Sequence, residues 1–164
     1  MDYGRFYERI SRIFRNNGRL HAALIYFNMY FTYTMYILYP CLLVMLLFTE
    51  RKLFLRTLIV PAVFFYVLTE VRKKINRERP YERWNMDVLL EKSTRGNSMP
   101  SRHVFSAVMI TMCIYQVSPA LGALLLVFCA FSAVVRVLLG VHYPLDVIVG
   151  YLCGLLGGWV MYLL

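Results

Sequence analysis

Long apolar runs separated by short polar breaks make up most of this chain, and one long polar stretch near the middle interrupts them. The runs cover residues 21–48, 53–71, 104–117, 119–139 and 145–164. A helix needs roughly 18–20 apolar residues to cross a bilayer. Four of the runs approach or reach that length, and the one at 104–117 is shorter. The pattern predicts an all-α protein, a polytopic transmembrane helical bundle of about five spans forming one domain over residues 1–164. Pro40 is placed to kink the first span without ending it, because neighbouring helices can satisfy the carbonyl it frees. Pro119 suits the first turn of the fourth span, and Gly140-Val141-His142-Tyr143-Pro144 breaks the helix before the fifth. Gly150, Gly154, Gly157 and Gly158 give that last span a small-residue face for close packing.

Ahead of the spans, Tyr3, Phe6, Ile10, Ile13 and Phe14 recur at helical spacing, with Arg5, Arg9, Arg12, Arg15 and Arg19 on an adjoining stripe. Residues 1–20 are therefore expected to form an interfacial amphipathic helix with its arginines on lipid headgroups, ended by Asn16-Asn17-Gly18; a basic topogenic tail is the alternative. The run that follows is too long for the core of a cleavable signal, so the first span is expected to act as its own insertion signal.

Composition sharpens this picture. The chain is 60% hydrophobic and 16% charged, outside the range of ordinary soluble domains. Its net charge of +9 is concentrated in the N-terminal arginines and in the polar loop at 72–102, which holds nine Lys/Arg against Glu78, Glu82, Asp87 and Glu91. Because these basic blocks flank apolar spans, anionic membrane lipids or a phosphorylated substrate fit them better than nucleic acid. Cys41, Cys113, Cys129 and Cys153 lie in apolar runs without metal-type spacing and read as small hydrophobes.

The 62 residues after Arg102 contain only four basic or acidic side chains, His103, Arg136, His142 and Asp146. Ionisable groups in membrane-spanning sequence are costly and point to function. Counting crossings from the N-terminus places Arg72, Arg79, Ser101, His103, Arg136, His142 and Asp146 at one depth on one face. Such a set suits phosphoryl transfer. Arginine forks match phosphate oxygens, and Ser101 with the N–H groups opening a helix can cradle the same anion. One histidine, held by a carboxylate, can act as nucleophile while the other protonates the leaving oxygen. If the last helix begins near Tyr143, Asp146 can reach back to an imidazole and fix its tautomer.

These residues resemble the type 2 phosphatidic acid phosphatases, the lipid phosphate phosphatases. That family's pattern is Lys-x6-Arg-Pro, Pro-Ser-Gly-His and Ser-Arg-x5-His-x3-Asp. It is matched here by Arg72-x6-Arg79-Pro80, Pro100-Ser101-Arg102-His103 and Val135-Arg136-x5-His142-x3-Asp146. The resemblance implies catalytic residues His142 (nucleophile), Asp146 (its orienter) and His103 (proton donor). It implies phosphate binding by Arg72, Arg79, Ser101, Arg102 and Arg136, with no metal and no cofactor. Three positions depart from the pattern: Arg72 replaces lysine, with Lys73 and Lys74 adjoining, Arg102 replaces glycine, and Val135 replaces serine. Arg102 either demands room beside the phosphate or adds an anion contact.

The expected function is hydrolysis of a lipid phosphate or pyrophosphate through a phosphohistidine. Undecaprenyl pyrophosphate, phosphatidylglycerol phosphate, phosphatidate and lipid A phosphates all fit. A catalytically impaired lipid-phosphate-binding protein is the alternative. A transporter fits less well, since the polar groups gather at one interface instead of threading the spans. The expected location is the cell membrane. Positive charge, fourteen Lys/Arg on the site's side before Arg136 against three on the other, would make that side cytoplasmic. The resemblance puts the site on the extracytoplasmic face.

Overall fold

The computed structural model describes residues 3–84 and 86–164. Its helices run in the order α1 (Tyr3–Arg15), α2 (Gly18–Thr49), α3 (Arg51–Ile75), α4 (Pro80–Arg83), α5 (Arg102–Val117), α6 (Pro119–Leu138) and α7 (Pro144–Leu163), with no strand among the described residues. Four of them, α2, α3, α6 and α7, are long and apolar enough to cross a membrane. Their outward faces carry large apolar side chains such as Ile37, Phe48, Tyr66, Val127, Leu152 and Trp159, each more than half exposed. That surface suits hydrocarbon as its solvent, and the chain is an integral membrane protein.

The remaining apolar run, α5, has 16 residues. At about 1.5 Å per residue it falls short of a hydrocarbon core about 30 Å thick. It is packed inside the bundle instead, with Val104, Phe105, Val108, Met109 and Cys113 all buried. The expected five spans thus take the form of four lipid-facing helices around one shorter central helix. The tightest approach is between α5 and α7, on the small-residue face the sequence suggested. A Cβ at Gly154 would stand 2.7 Å from Val108 Cβ, and one at Gly158 2.4 Å from Met112 Cβ. Helix α2 continues unbroken through Pro40, and α3 through Pro61.

Helix α1 lies against the bundle through Tyr7 and Ser11, both fully buried. The Tyr7 hydroxyl donates to Leu138 O (3.0 Å) and accepts from Leu89 N (3.1 Å), and Arg15 pairs with Asp87. Ile13 and Phe6 of the same helix face outward. Between α4 and α5 the chain forms an irregular strap, pinned to the end of α6 where Leu90 N donates to Leu139 O (3.3 Å). Leu89 of the strap is buried with Leu24, Val135, Leu139 and Val141. The turn after α6 depends on Gly140, whose φ of +78° is left-handed and where a Cβ would meet Tyr7 Oη at 2.8 Å. The N-terminal helix, the strap and the α6–α7 turn therefore sit together at one end of the bundle.

Candidate active site

All three sequence motifs meet at that end. Arg72, in the last turn of α3, is 7% exposed, whereas Lys73 and Lys74 are exposed and Lys73 pairs with Glu70 (2.7 Å). Of the three adjoining cations it is Arg72 that faces inward, and its charge acts on Arg79 and Arg102. Arg79 opens α4. Its Nε donates to Gly96 O (3.1 Å) and its Nη1 to Val141 O (3.4 Å), tying the strap to the turn that carries His142. Glu82 holds the same corner, accepting from the backbone N–H groups of Arg79 (3.0 Å) and Gly96 (2.7 Å).

Ser101 caps α5, and its backbone N donates to Asp146 O (2.9 Å) in the first turn of α7. Gly150 makes this contact possible, since a Cβ there would lie 2.6 Å from Ser101 O. Arg136, in the last turn of α6, is almost fully buried and donates from Nη1 to Asn28 Oδ1 of α2 (3.1 Å). Two donors at this site are buried without a hydrogen-bond partner among the described residues, Ser101 Oγ and Arg136 Nε. Leaving a buried polar group unpaired costs about 1–3 kcal/mol, so both donors are available to the oxygens of a bound anion.

Asp146 is fully buried at the start of α7 and has a full set of partners. Arg77 Nη1 donates to Oδ1 (2.8 Å), while Tyr143 N (3.0 Å) and Ser98 Oγ donate to Oδ2. The His142 Nδ1 lies 3.6 Å from Oδ2 and 3.5 Å from Ser98 Oγ. The expected reach of Asp146 to the imidazole is thus an ion-pair distance with the Ser98 hydroxyl lodged beside it. With Nδ1 turned to this pair, Nε2 is the ring atom free to face a substrate. Burial pushes the His142 imidazole down to about 4, the charges of Arg136 and Arg79 adding to this and Asp146 opposing it, so the ring is neutral at physiological pH.

His103 and Arg102 are the first residues of α5. They line a cavity of about 240 Å³ with Phe31, Met35, Phe65 and Ser132 among its walls. It adjoins a second of about 440 Å³ that runs between α2 and α3 along α5 to Pro40 and Pro61. Arg102 stacks over the Phe65 ring, 5.6 Å from its centroid. Val135, the apolar replacement in the third motif, is fully buried in the cluster under the strap.

Sequence reasoning missed Arg77, Ser98 and Asn28. Arg77 is one cation among nine in the polar loop at 72–102, and Ser98 is a small polar residue of the same loop. Asn28 had no signal beyond being an amide within an apolar span. Among the described residues no group of three or more His, Cys, Asp or Glu side chains is placed to hold a metal ion.

The curated relatives include an undecaprenyl-diphosphatase of Sulfolobus acidocaldarius, 33% identical over 133 residues, and a putative undecaprenyl-diphosphatase of Escherichia coli, YbjG, 30% identical over 111 residues. The first alignment covers 78% of this chain and 62% of the relative, the second 66% and 54%. The chain thus spans less than two thirds of the length of either. Among solved structures, Aquifex aeolicus LpxE superposes with a TM-score of 0.76 at 21% identity, covering 98% of this chain and 94% of that one. A PAP2-type phosphatidylglycerolphosphate phosphatase from Bacillus subtilis gives 0.70 at 20% identity, covering 95% and 82%. The family model for the PAP2 superfamily matches residues 54–164, the stretch in which all three motifs lie, and the chain belongs to that superfamily.

Proposed function

We propose that this protein is a membrane-embedded phosphatase that hydrolyses a lipid phosphate or diphosphate through a phosphohistidine, without a metal or cofactor. The observation that carries this reading is the pair of unpartnered buried donors, Ser101 Oγ and Arg136 Nε, beside a neutral histidine whose Nδ1 is turned to a carboxylate. Arg72, Arg79, Arg136 and Ser101 grip the oxygens of the transferred phosphoryl group, and positioned positive charge supplies most of the rate enhancement. His142 Nε2 attacks phosphorus as the bond to the leaving oxygen breaks, and His103 gives that oxygen its proton. Water then adds to the phosphohistidine, giving up a proton to His103, and inorganic phosphate departs. Asp146, itself neutralised by Arg77, holds the imidazole tautomer.

The apolar cavities leading from His103 between α2 and α3 supply room for a hydrocarbon tail at membrane depth. The names of the two curated relatives add weight to a polyprenyl diphosphate as substrate. Anionic lipids are proposed to engage the arginines of α1, and the site is proposed to face the extracytoplasmic side of the cell membrane. A cysteine at Ser93, introduced after removal of the native thiols, should then react with an impermeant reagent in intact cells; protection until lysis would place the site inside.

The test of the function is phosphate release from detergent-solubilised lipid phosphates and diphosphates in the presence of a chelator. The purified protein is expected to turn over, and His142→Ala to lose activity. Full turnover by His142→Ala would refute the assigned nucleophile.

A further inference from the structure

Arg102 stands where the family pattern has glycine. Arg79 is tied to the strap and to the α6–α7 turn through Gly96 O and Val141 O, and Arg136 is tied to Asn28 of α2. Arg102 leans over Phe65 and, with His103, lines the 240 Å³ cavity whose walls include Phe31, Met35, Ala107 and Ile110. It makes no hydrogen bond or ion pair with any described residue, and the one carboxylate of the site, Asp146, is already occupied by Arg77, Ser98 and Tyr143 N. A guanidinium free of hydrogen-bond and ion-pair partners among the described residues therefore lines the apolar cavity beside His103.

That placement has a chemical consequence. In a lipid monophosphate the atoms just beyond the leaving oxygen are uncharged carbon, which offers a guanidinium nothing. In a lipid diphosphate they belong to a second phosphate, whose oxygens match the guanidinium fork. We propose that Arg102 holds the phosphate that stays on the lipid, and that it thereby makes the site selective for lipid diphosphates over monophosphates. The inference rests on the phosphatase reading above and names its substrate class. In the step itself, His142 Nε2 bonds to the terminal phosphorus and the bond from that phosphorus to the bridging oxygen breaks. The electron pair stays on the bridging oxygen, which takes the proton of His103 and leaves as part of the lipid monophosphate. Arg102 stabilises the charge that develops there, an interaction stronger in the transition state than in the ground state.

Farnesyl diphosphate and farnesyl monophosphate share one tail and separate the two cases. The purified protein in detergent is expected to show a kcat/KM for the diphosphate at least about tenfold higher, the range of one charge-assisted hydrogen bond. In Arg102→Gln and in Arg102→Gly, which restores the residue of the family pattern, that ratio should fall about tenfold or more. A wild-type preference for the monophosphate, an unchanged ratio in both variants, or equal loss on both substrates would overturn the assignment. Turnover of the monophosphate with no diphosphate preference would leave the phosphatase reading standing. Release from neither substrate by the wild type would overturn both.

Discussion

Replacing Ser98 with alanine tests how Asp146 acts on His142. The Ser98 hydroxyl is fully buried, donates to Asp146 Oδ2 and lies 3.5 Å from His142 Nδ1, while carboxylate and imidazole are 3.6 Å apart. Alanine removes this hydroxyl without enlarging the side chain. It leaves Asp146 with Arg77 and Tyr143 N as partners. A hydrogen bond to a charged group contributes about 1.5–3 kcal/mol. If that contribution is made in the transition state, as the imidazole gains positive character, kcat falls roughly 10- to 150-fold. The partners of the Ser98 hydroxyl are Asp146 and His142 Nδ1, neither of them in the proposed phosphate cradle, so KM should hold within about twofold, the sign of an interaction specific to the transition state. The assay is initial-rate phosphate release by purified wild type and Ser98→Ala across substrate concentrations. A kcat within about twofold of wild type would refute the reasoning and leave Asp146 acting on His142 directly.

Other consequences follow from contacts elsewhere in the site. Gly150→Val would drive a side chain into Ser101 O, 2.6 Å from where the Cβ must stand. Misplacing the cradle by about 1 Å is expected to lower phosphate release around a hundredfold while helix content by circular dichroism holds; unchanged activity would mean that α5 and α7 need no such contact. Tyr7→Phe leaves buried Leu89 N and Leu138 O without their shared hydroxyl, a cost of about 1–3 kcal/mol. It should lower the melting temperature in detergent by a few degrees, and an unchanged melt would show that α1 is not held through this residue. The His142 ring, held near 4 chiefly by burial, binds a proton only as pH falls well below its ordinary 6.5. Imidazole-labelled protein should therefore show His142 neutral at pH 6 by nuclear magnetic resonance, with the signal identified by its loss in His142→Asn. A midpoint at 6.5 or above would contradict the burial argument.

Much of this was legible in the sequence for identifiable reasons. Hydropathy located the helices because each lipid-facing segment must be apolar over its whole length. Of the candidate site residues, His103, Arg136, His142 and Asp146 stood out because so few ionisable groups interrupt the last 62 positions. Their convergence followed from the parity of crossings alone. What stayed hidden depends on packing between distant segments. Arg77 carries no mark that separates it from Arg83 or Arg95, and only the turn of the chain after α3 brings it to Asp146. Ser98 becomes part of the site because the strap folds back, its N–H donating to Arg77 O (2.8 Å). For α1, the amphipathic pattern fitted a membrane surface, yet the helix also docks on the bundle through Tyr7 and Ser11, which an apolar-stripe count does not single out. The short α5 read as a weak span because periodicity cannot tell a helix buried in protein from one buried in lipid.

The account stands or falls on where the phosphoryl group goes. A rapid-quench experiment with terminally 32P-labelled farnesyl diphosphate, stopped in alkali to preserve phosphohistidine, followed by peptide mapping, addresses that directly. The account predicts transient label on the peptide bearing His142, and none in His142→Ala. Label on another residue, or full turnover by His142→Ala with no labelled intermediate, would contradict it.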